Sequence, residues 1–151
     1  MCLSWNVCMT FSLTAPHRKA FTDSLRAKGL RPTKQRTCVY GVILDKRDHP
    51  TADDIYDRVR KFLPGTSFAT VYNCLETLVN CGLVRQVNMD RSPTRYCPNL
   101  TPHAHFKCTK TGKIFDVQID KDTLSRMQSL IPDGFVAENI DLCFSGKGYQ
   151  N

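Results

Sequence analysis

Apolar residues in the first half of the chain recur at helical spacing, interrupted at intervals by glycine, proline and hydroxyl side chains. From Arg18 to about Lys28 they fall at Ala20, Phe21, Leu25 and Ala27, and Gly29 closes the segment as a C-cap does. Thr33 can cap a second helix whose buried stripe is Cys38, Val39, Val42 and Ile43. A third opens at Thr51, with Asp53 and Asp54 at the positive end of its dipole. Ile55, Val59, Phe62 and Leu63 make its apolar face, and Pro64-Gly65 ends it. Ser67 caps a fourth helix running to about Cys81, with Val71, Leu75, Leu78 and Val79 inside and Gly82 as its stop.

Two β-prone runs follow, LVRQV from Leu83 and TRYC from Thr94, separated by the turn-rich NMDRSP; they read as a hairpin. Short helices followed by a two-stranded hairpin is the order of a winged helix-turn-helix, and also of a small α+β domain with no nucleic-acid role. Pro98 to Pro102 is an extended connector, because each proline pushes the preceding residue out of helical geometry. Beyond it GKIFDVQI reads as a strand, Lys121 to Ile131 as a helix through Leu124, Met127 and Leu130, and FVAENIDLCF as a further strand. The expected class is α+β. It comprises an N-terminal extension (1–17), a winged helix-turn-helix domain (18–97), a hinge (98–102) and a small αβ domain (103–151). That last unit has too small a core to stand alone comfortably, so it is expected to pair with a copy of itself.

Composition narrows the setting. The 151 residues carry a net charge of +7, which suits an anionic partner, nucleic acid before an acidic membrane surface. The mildly apolar segment from Met1 to Thr14 lacks a basic flank and is too short to span a bilayer. Met9 is a second candidate start, leaving 1–8 as an upstream extension. The eight cysteines, Cys2, Cys8, Cys38, Cys74, Cys81, Cys97, Cys108 and Cys143, contain no Cys-x-x-Cys pair. With no secretion signal to accompany a disulfide framework, the expected compartment is the reducing cytoplasm.

Two of the four histidines form a His-x-His, His103 and His105, just past the connector. In an extended segment both face one side and can reach one ion. Cys97, Asp116 and His49 accompany them. Three imidazoles, a thiolate and a carboxylate neutralise a divalent cation and offer it five ligands. Each also has a plainer role: His49 as a solvated residue before a helix, Cys97 as an apolar hairpin end, Asp116 as an exposed strand residue.

The strings GLRPTKQR (29–36), HPTADDIY (49–56), SFATVYNCLETL (67–78), CGLVR (81–85) and HAHFKC through GKIFDV, in this order, resemble the ferric uptake regulator family over about Phe21 to Gly146. Asn73 after ATVY, and Asp116 where other branches have glutamate, are similar to its peroxide-sensing repressors. The resemblance implies a dimeric repressor of double-stranded DNA at an A/T-rich palindromic operator, and not an enzyme. It also implies a regulatory metal, Fe2+ or Mn2+, held by His49, Cys97, His103, His105 and Asp116. Two departures stand out. Cys97 occupies a position where those sensors carry aspartate; a thiolate is oxidisable and admits Zn2+. Cys108 matches one cysteine of the structural zinc site of many members, but Thr111 stands in place of its mate, so no structural zinc is expected.

By the same resemblance the helix from Ser67 supplies base contacts. Tyr72 would lie against a thymine methyl, or else be core, while Asn73, Thr70 and Ser67 would meet base edges or phosphates. Arg31 would enter a narrow minor groove, and Lys34, Arg36 and Arg85 would meet phosphates. Peroxide reacting at bound iron would oxidise His49 or His103, with Cys97 as a competing target. Three alternatives stay open: a regulator of zinc or iron availability, a metal-dependent hydrolase, and a DNA-binding dimer with a vestigial site.

Overall fold

The computed structural model describes residues 11–148, so the candidate start at Met9 and the upstream segment lie outside the described residues. The chain forms two compact units that divide between Leu100 and Thr101.

Among the described residues the first unit holds four helices and a hairpin: α1 (Ala15–Ala27), α2 (Lys34–Asp45), α3 (Ala52–Phe62), α4 (Phe68–Asn80), β1 (Arg85–Val87) and β2 (Arg95–Cys97). Helix α1 starts three residues earlier than its apolar pattern indicates, because Pro16 fits the first turn, where no backbone donor is needed. Only Phe21 and Leu25 of its predicted stripe are buried; Ala20 and Ala27 face solvent. The ends of α1 and α4 have one construction. Gly29 and Gly82 both adopt φ +68, and the residue after each glycine donates its N–H back into the last turn, Leu30 to Leu25 O at 2.9 Å and Leu83 to Leu78 O at 3.0 Å. The starts are capped as predicted: the hydroxyls of Thr33, Thr51 and Ser67 accept from the N–H of Arg36, Asp54 and Thr70. At Thr51 the Asp54 carboxylate also accepts from the Thr51 N–H at 2.9 Å, a reciprocal capping box.

The core of this unit includes every apolar residue predicted for α2 and those of α3 and α4, with Phe62, Leu63 and Val79 at its margin. Several contributors were not anticipated, among them Tyr40, Leu13 and Phe11. Tyr40 stacks on Phe21 at 5.5 Å. Leu13 is buried, and the Phe11 ring fills the space where a Cβ on Gly41 would stand. Leu13 and Phe11, placed in the extension 1–17 on sequence, therefore pack with this core. The antiparallel hairpin pairs Arg85 with Cys97 and Val87 with Arg95. Its first strand begins at Arg85 rather than Leu83, since Leu83 and Val84 are used to plug the core.

The second unit contains β3 (His103–Cys108), β4 (Ile114–Gln118), α5 (Lys121–Gln128) and β5 (Cys143–Gly146), with sheet order β4-β3-β5. Three predicted elements are shorter than their patterns, the first being β4, which omits Gly112, Lys113 and Ile119. Helix α5 stops at Gln128 rather than Ile131, where the Leu130 and Ile131 N–H groups tighten onto Met127 and Gln128 carbonyls ahead of Pro132. Of the run FVAENIDLCF only Cys143 and Phe144 are in a strand. Upstream, the Asn139 side chain donates to the Asp141 carboxylate at 3.0 Å. Strand alternation also segregates this sheet. His103, His105, Asp116 and Cys143 rise from one face, while Phe106, Phe115, Val117 and Phe144 rise from the other.

Candidate functional site

The predicted ligands divide between the units: His49 and Cys97 belong to the first, His103, His105 and Asp116 to the second. In the first unit, the segment before α3 lies against β2. The Tyr96 N–H donates to Pro50 O at 3.0 Å, Thr51 bridges Arg95, and the Arg95 guanidinium donates to His49 O at 2.9 Å. This brings the ligand atoms of His49 and Cys97 within 4.8 Å of each other, both residues being buried.

His49 has φ +53, in the left-handed region that costs a non-glycine residue roughly 1–2 kcal/mol. The cost is offset by its neighbours on both sides. The charge-assisted bond from Arg95 holds its carbonyl. On the other side Asp48 is gripped by both nitrogens of the Arg58 guanidinium, at 3.0 and 2.8 Å, with Lys46 at 3.2 Å. Burial pushes the Asp48 carboxyl up, but the bonds and charges of Arg58 and Lys46 together hold it below the usual carboxylate range.

In the second unit, the central strand β3 presents His103 and His105 on one face, and the register sets Asp116 opposite His105. The two Nε2 atoms are 3.0 Å apart, and Asp116 Oδ1 lies 3.5 Å from the first and 3.7 Å from the second. A tetrahedral cation with bonds of about 2.0–2.1 Å has donor-to-donor edges of roughly 3.4 Å. The triangle of donors has those dimensions. His103 Nδ1 lies 2.7 Å from Thr101 O; with the proton on Nδ1, that bond leaves the Nε2 lone pair for a metal. Both imidazoles are buried, so the cluster suits a divalent cation chemically as well as in size.

Cys108 ends β3 facing away from the histidines. Hydrogen bonds from the Thr111 side chain and backbone, helped by Lys110 and Gly148 backbone groups, bring its thiol down to about 7. Thr111, read on sequence only as a missing zinc ligand, thus acts as the thiol's partner.

The candidate nucleic-acid residues separate by how they are engaged. Tyr72 on α4 is 45 % exposed, so it is not core, and Asn73 beside it is also exposed. Ser67 and Thr70 are engaged in the helix cap, their hydroxyls 2.9 Å apart. Arg31 and Lys34 are exposed; Arg36 is half-buried and donates to Arg31 O at 2.7 Å, bracing the loop that carries Arg31. Arg85 is half-buried on the hairpin. Sequence reasoning missed Phe68, which is 40 % exposed at the start of α4, packs edge-on to Tyr56 at 5.4 Å and adjoins Tyr72 at 6.5 Å. Its position directly after the Ser67 cap was the available signal.

The model described as "Ferric uptake regulator family" matches residues 27–145. The chain is similar to the peroxide-responsive repressor PerR of Staphylococcus aureus, with 37% identity over 95 residues. The match covers 63% of this chain and 64% of that protein, so the chain spans less than two thirds of the length of the curated relatives it matches. Among solved structures, the peroxide stress regulator of Campylobacter jejuni is 28% identical with a TM-score of 0.66, covering 91% of this chain and 98% of that one. The ferric uptake regulator of Helicobacter pylori is similar in fold, at 20% identity and a TM-score of 0.71, covering 91% and 94%.

Proposed function

Because this chain belongs to the ferric uptake regulator family, we propose that it is a metal-dependent, homodimeric, DNA-binding repressor whose His49, Cys97, His103, His105 and Asp116 share one divalent ion. The observation that carries the reading is the donor triangle of His103, His105 and Asp116, whose edges of 3.0, 3.5 and 3.7 Å suit a coordination shell. The left-handed His49, tied to the β2 strand that ends in Cys97, supplies the second half of the set.

When bound, the ion supplies a cross-link with ligands from both units, which favours one arrangement of the hinge at 98–102 over others. Tyr72 and Asn73 then read base edges from α4, and Arg31 reaches the minor groove beside them. Lys34, Arg36 and Arg85 contribute sequence-independent phosphate contacts, while Ser67 and Thr70 hold the start of the reading helix. In a dimer the two reading helices must stand roughly 34 Å apart to enter successive major grooves. A second copy is supported by apolar side chains of the second unit that this chain leaves open, Leu130 at 80 %, Phe135 at 74 % and Val136 at 89 % exposure.

We assign the signal to peroxide on Asn73, Asp116 and the peroxide-responsive relatives. Oxidation of His49, His103 or Cys97 would weaken the site and end repression. Cys97 also supports a second reading, a regulator of zinc or iron availability, since a thiolate ligand favours softer ions.

One titration tests both. Operator binding is measured anaerobically with ferrous iron, manganese and zinc in turn, before and after peroxide, and the protein is mapped by mass spectrometry. Loss of binding after peroxide, with one oxygen gained on His49 or His103 or with oxidised Cys97, supports the peroxide reading. Binding that survives peroxide but not a chelator supports the second. Binding indifferent to metal removes both.

A further inference from the structure

The register of the second unit's sheet places three ligand-type residues in one row. His105 on β3 pairs with Asp116 on β4 and, on its other side, with Cys143 on β5. Paired residues carry their side chains on the same face, and neighbouring strands are about 4.8 Å apart. A cation seated over His105 is therefore flanked by the Asp116 carboxylate on one side and the Cys143 thiol on the other. His103, two residues along β3, completes the group. Cys108 cannot take this part, because it lies an odd number of residues from His105 and pairs with Gly146 on the opposite face.

We infer that Cys143 is a fourth donor of this cluster, completing a two-histidine, one-aspartate, one-cysteine set on three adjacent strands without any ligand from the first unit. Asp116 and a Cys143 thiolate together neutralise a divalent cation, and the mixture of nitrogen, oxygen and sulfur suits an ion of borderline softness such as zinc or cobalt. Cys143 is exposed, so the thiol proton displaced on binding passes directly to water. The inference rests on the reading that His103, His105 and Asp116 hold the regulatory ion, and it adds a state to it. When His49 and Cys97 withdraw, Cys143 replaces Cys97 as the thiolate, and the second unit keeps the ion. Release from DNA and loss of metal are then separate events.

The test uses the full chain with cobalt(II) as probe, since a cobalt–thiolate bond gives a charge-transfer band in the near ultraviolet that nitrogen and oxygen ligands do not. His49→Ala/Cys97→Ser should bind one cobalt per chain and show the band. Adding Cys143→Ser should remove the band and weaken cobalt and zinc binding roughly tenfold or more, the scale on which even supporting groups of metal sites act. A second measurement leaves Cys143 in place: zinc should protect it from alkylation in His49→Ala/Cys97→Ser, read by peptide mass. Cobalt bound without the band, no cobalt bound, or alkylation of Cys143 unaffected by zinc each overturn the inference. The wild-type chain separates the two levels: if it binds neither ion, the underlying metal reading fails as well.

Discussion

Arg95→Ala removes one hydrogen bond that is not itself at a metal, the 2.9 Å contact from the guanidinium to His49 O. Hydrogen bonds to charged groups are worth about 1.5–3 kcal/mol, and this one holds a residue at φ +53, where a histidine is disfavoured by roughly 1–2 kcal/mol. The two magnitudes are comparable, so without Arg95 the backbone at His49 has little reason to stay left-handed. Its imidazole then leaves the position near Cys97 for much of the time. If the whole bond energy is expressed in the metal-bound form, zinc affinity falls by about 10- to 150-fold, at about 1.4 kcal/mol per decade. The assay is competition of the full chain against a chelator of known zinc affinity, with thermal unfolding of the metal-free protein alongside. Arg91→Ala is the control, an exposed arginine on the same hairpin. Unchanged zinc affinity in Arg95→Ala, or an equal loss in Arg91→Ala, refutes the reasoning that His49 is a ligand held by its backbone.

Three further expectations concern separate parts of the molecule. Leu75→Ala empties a fully buried site on α4 and should cost about 2–5 kcal/mol in urea unfolding, whereas exposed Tyr72→Ala should stay within about 0.5 kcal/mol yet lose operator affinity while non-specific DNA binding persists. The Cys108 thiol, held near 7 by Thr111, should be half-alkylated at a pH well below that of an ordinary cysteine, and Thr111→Val should raise that midpoint; rates followed by peptide mass decide it. Burial raises the Asp54 carboxyl, but its bonds from the Thr51 backbone and hydroxyl bring the net value below the usual range. Its stabilising contribution is thus complete above the unfolded carboxylate pKa and is lost as pH falls through the lower folded value. Asp54→Asn should destabilise the protein at neutral pH and flatten its acid-unfolding profile, as read by circular dichroism.

The sequence by itself determined what depends on local chemistry. Thr33, Thr51 and Ser67 cap helices because a hydroxyl can satisfy an otherwise unpaired N–H from any such position, and Gly29 and Gly82 end helices because their positive φ carries no penalty for glycine but roughly 1–2 kcal/mol for other residues. The buried stripes of α3 and α4 follow from helical periodicity alone, whereas α2 is buried at six successive positions, Cys38 to Ile43, because its neighbours close around it. The His-x-His was legible for the same reason, since alternation in a strand places both rings on one face. What only tertiary structure decided is which segments distant in sequence lie side by side. The left-handed turn at His49 exists because β2 reaches back to hold it. The place of Cys143 beside His105 exists because β5 pairs parallel to β3. Likewise FVAENIDLCF reads as a strand, yet only Cys143 and Phe144 are in one, with Leu142 O just before them accepting from the His105 N–H of β3 at 2.9 Å. Periodicity states which way a side chain points if a strand forms; whether one forms depends on an edge with free hydrogen-bonding groups, and that edge is built by other residues.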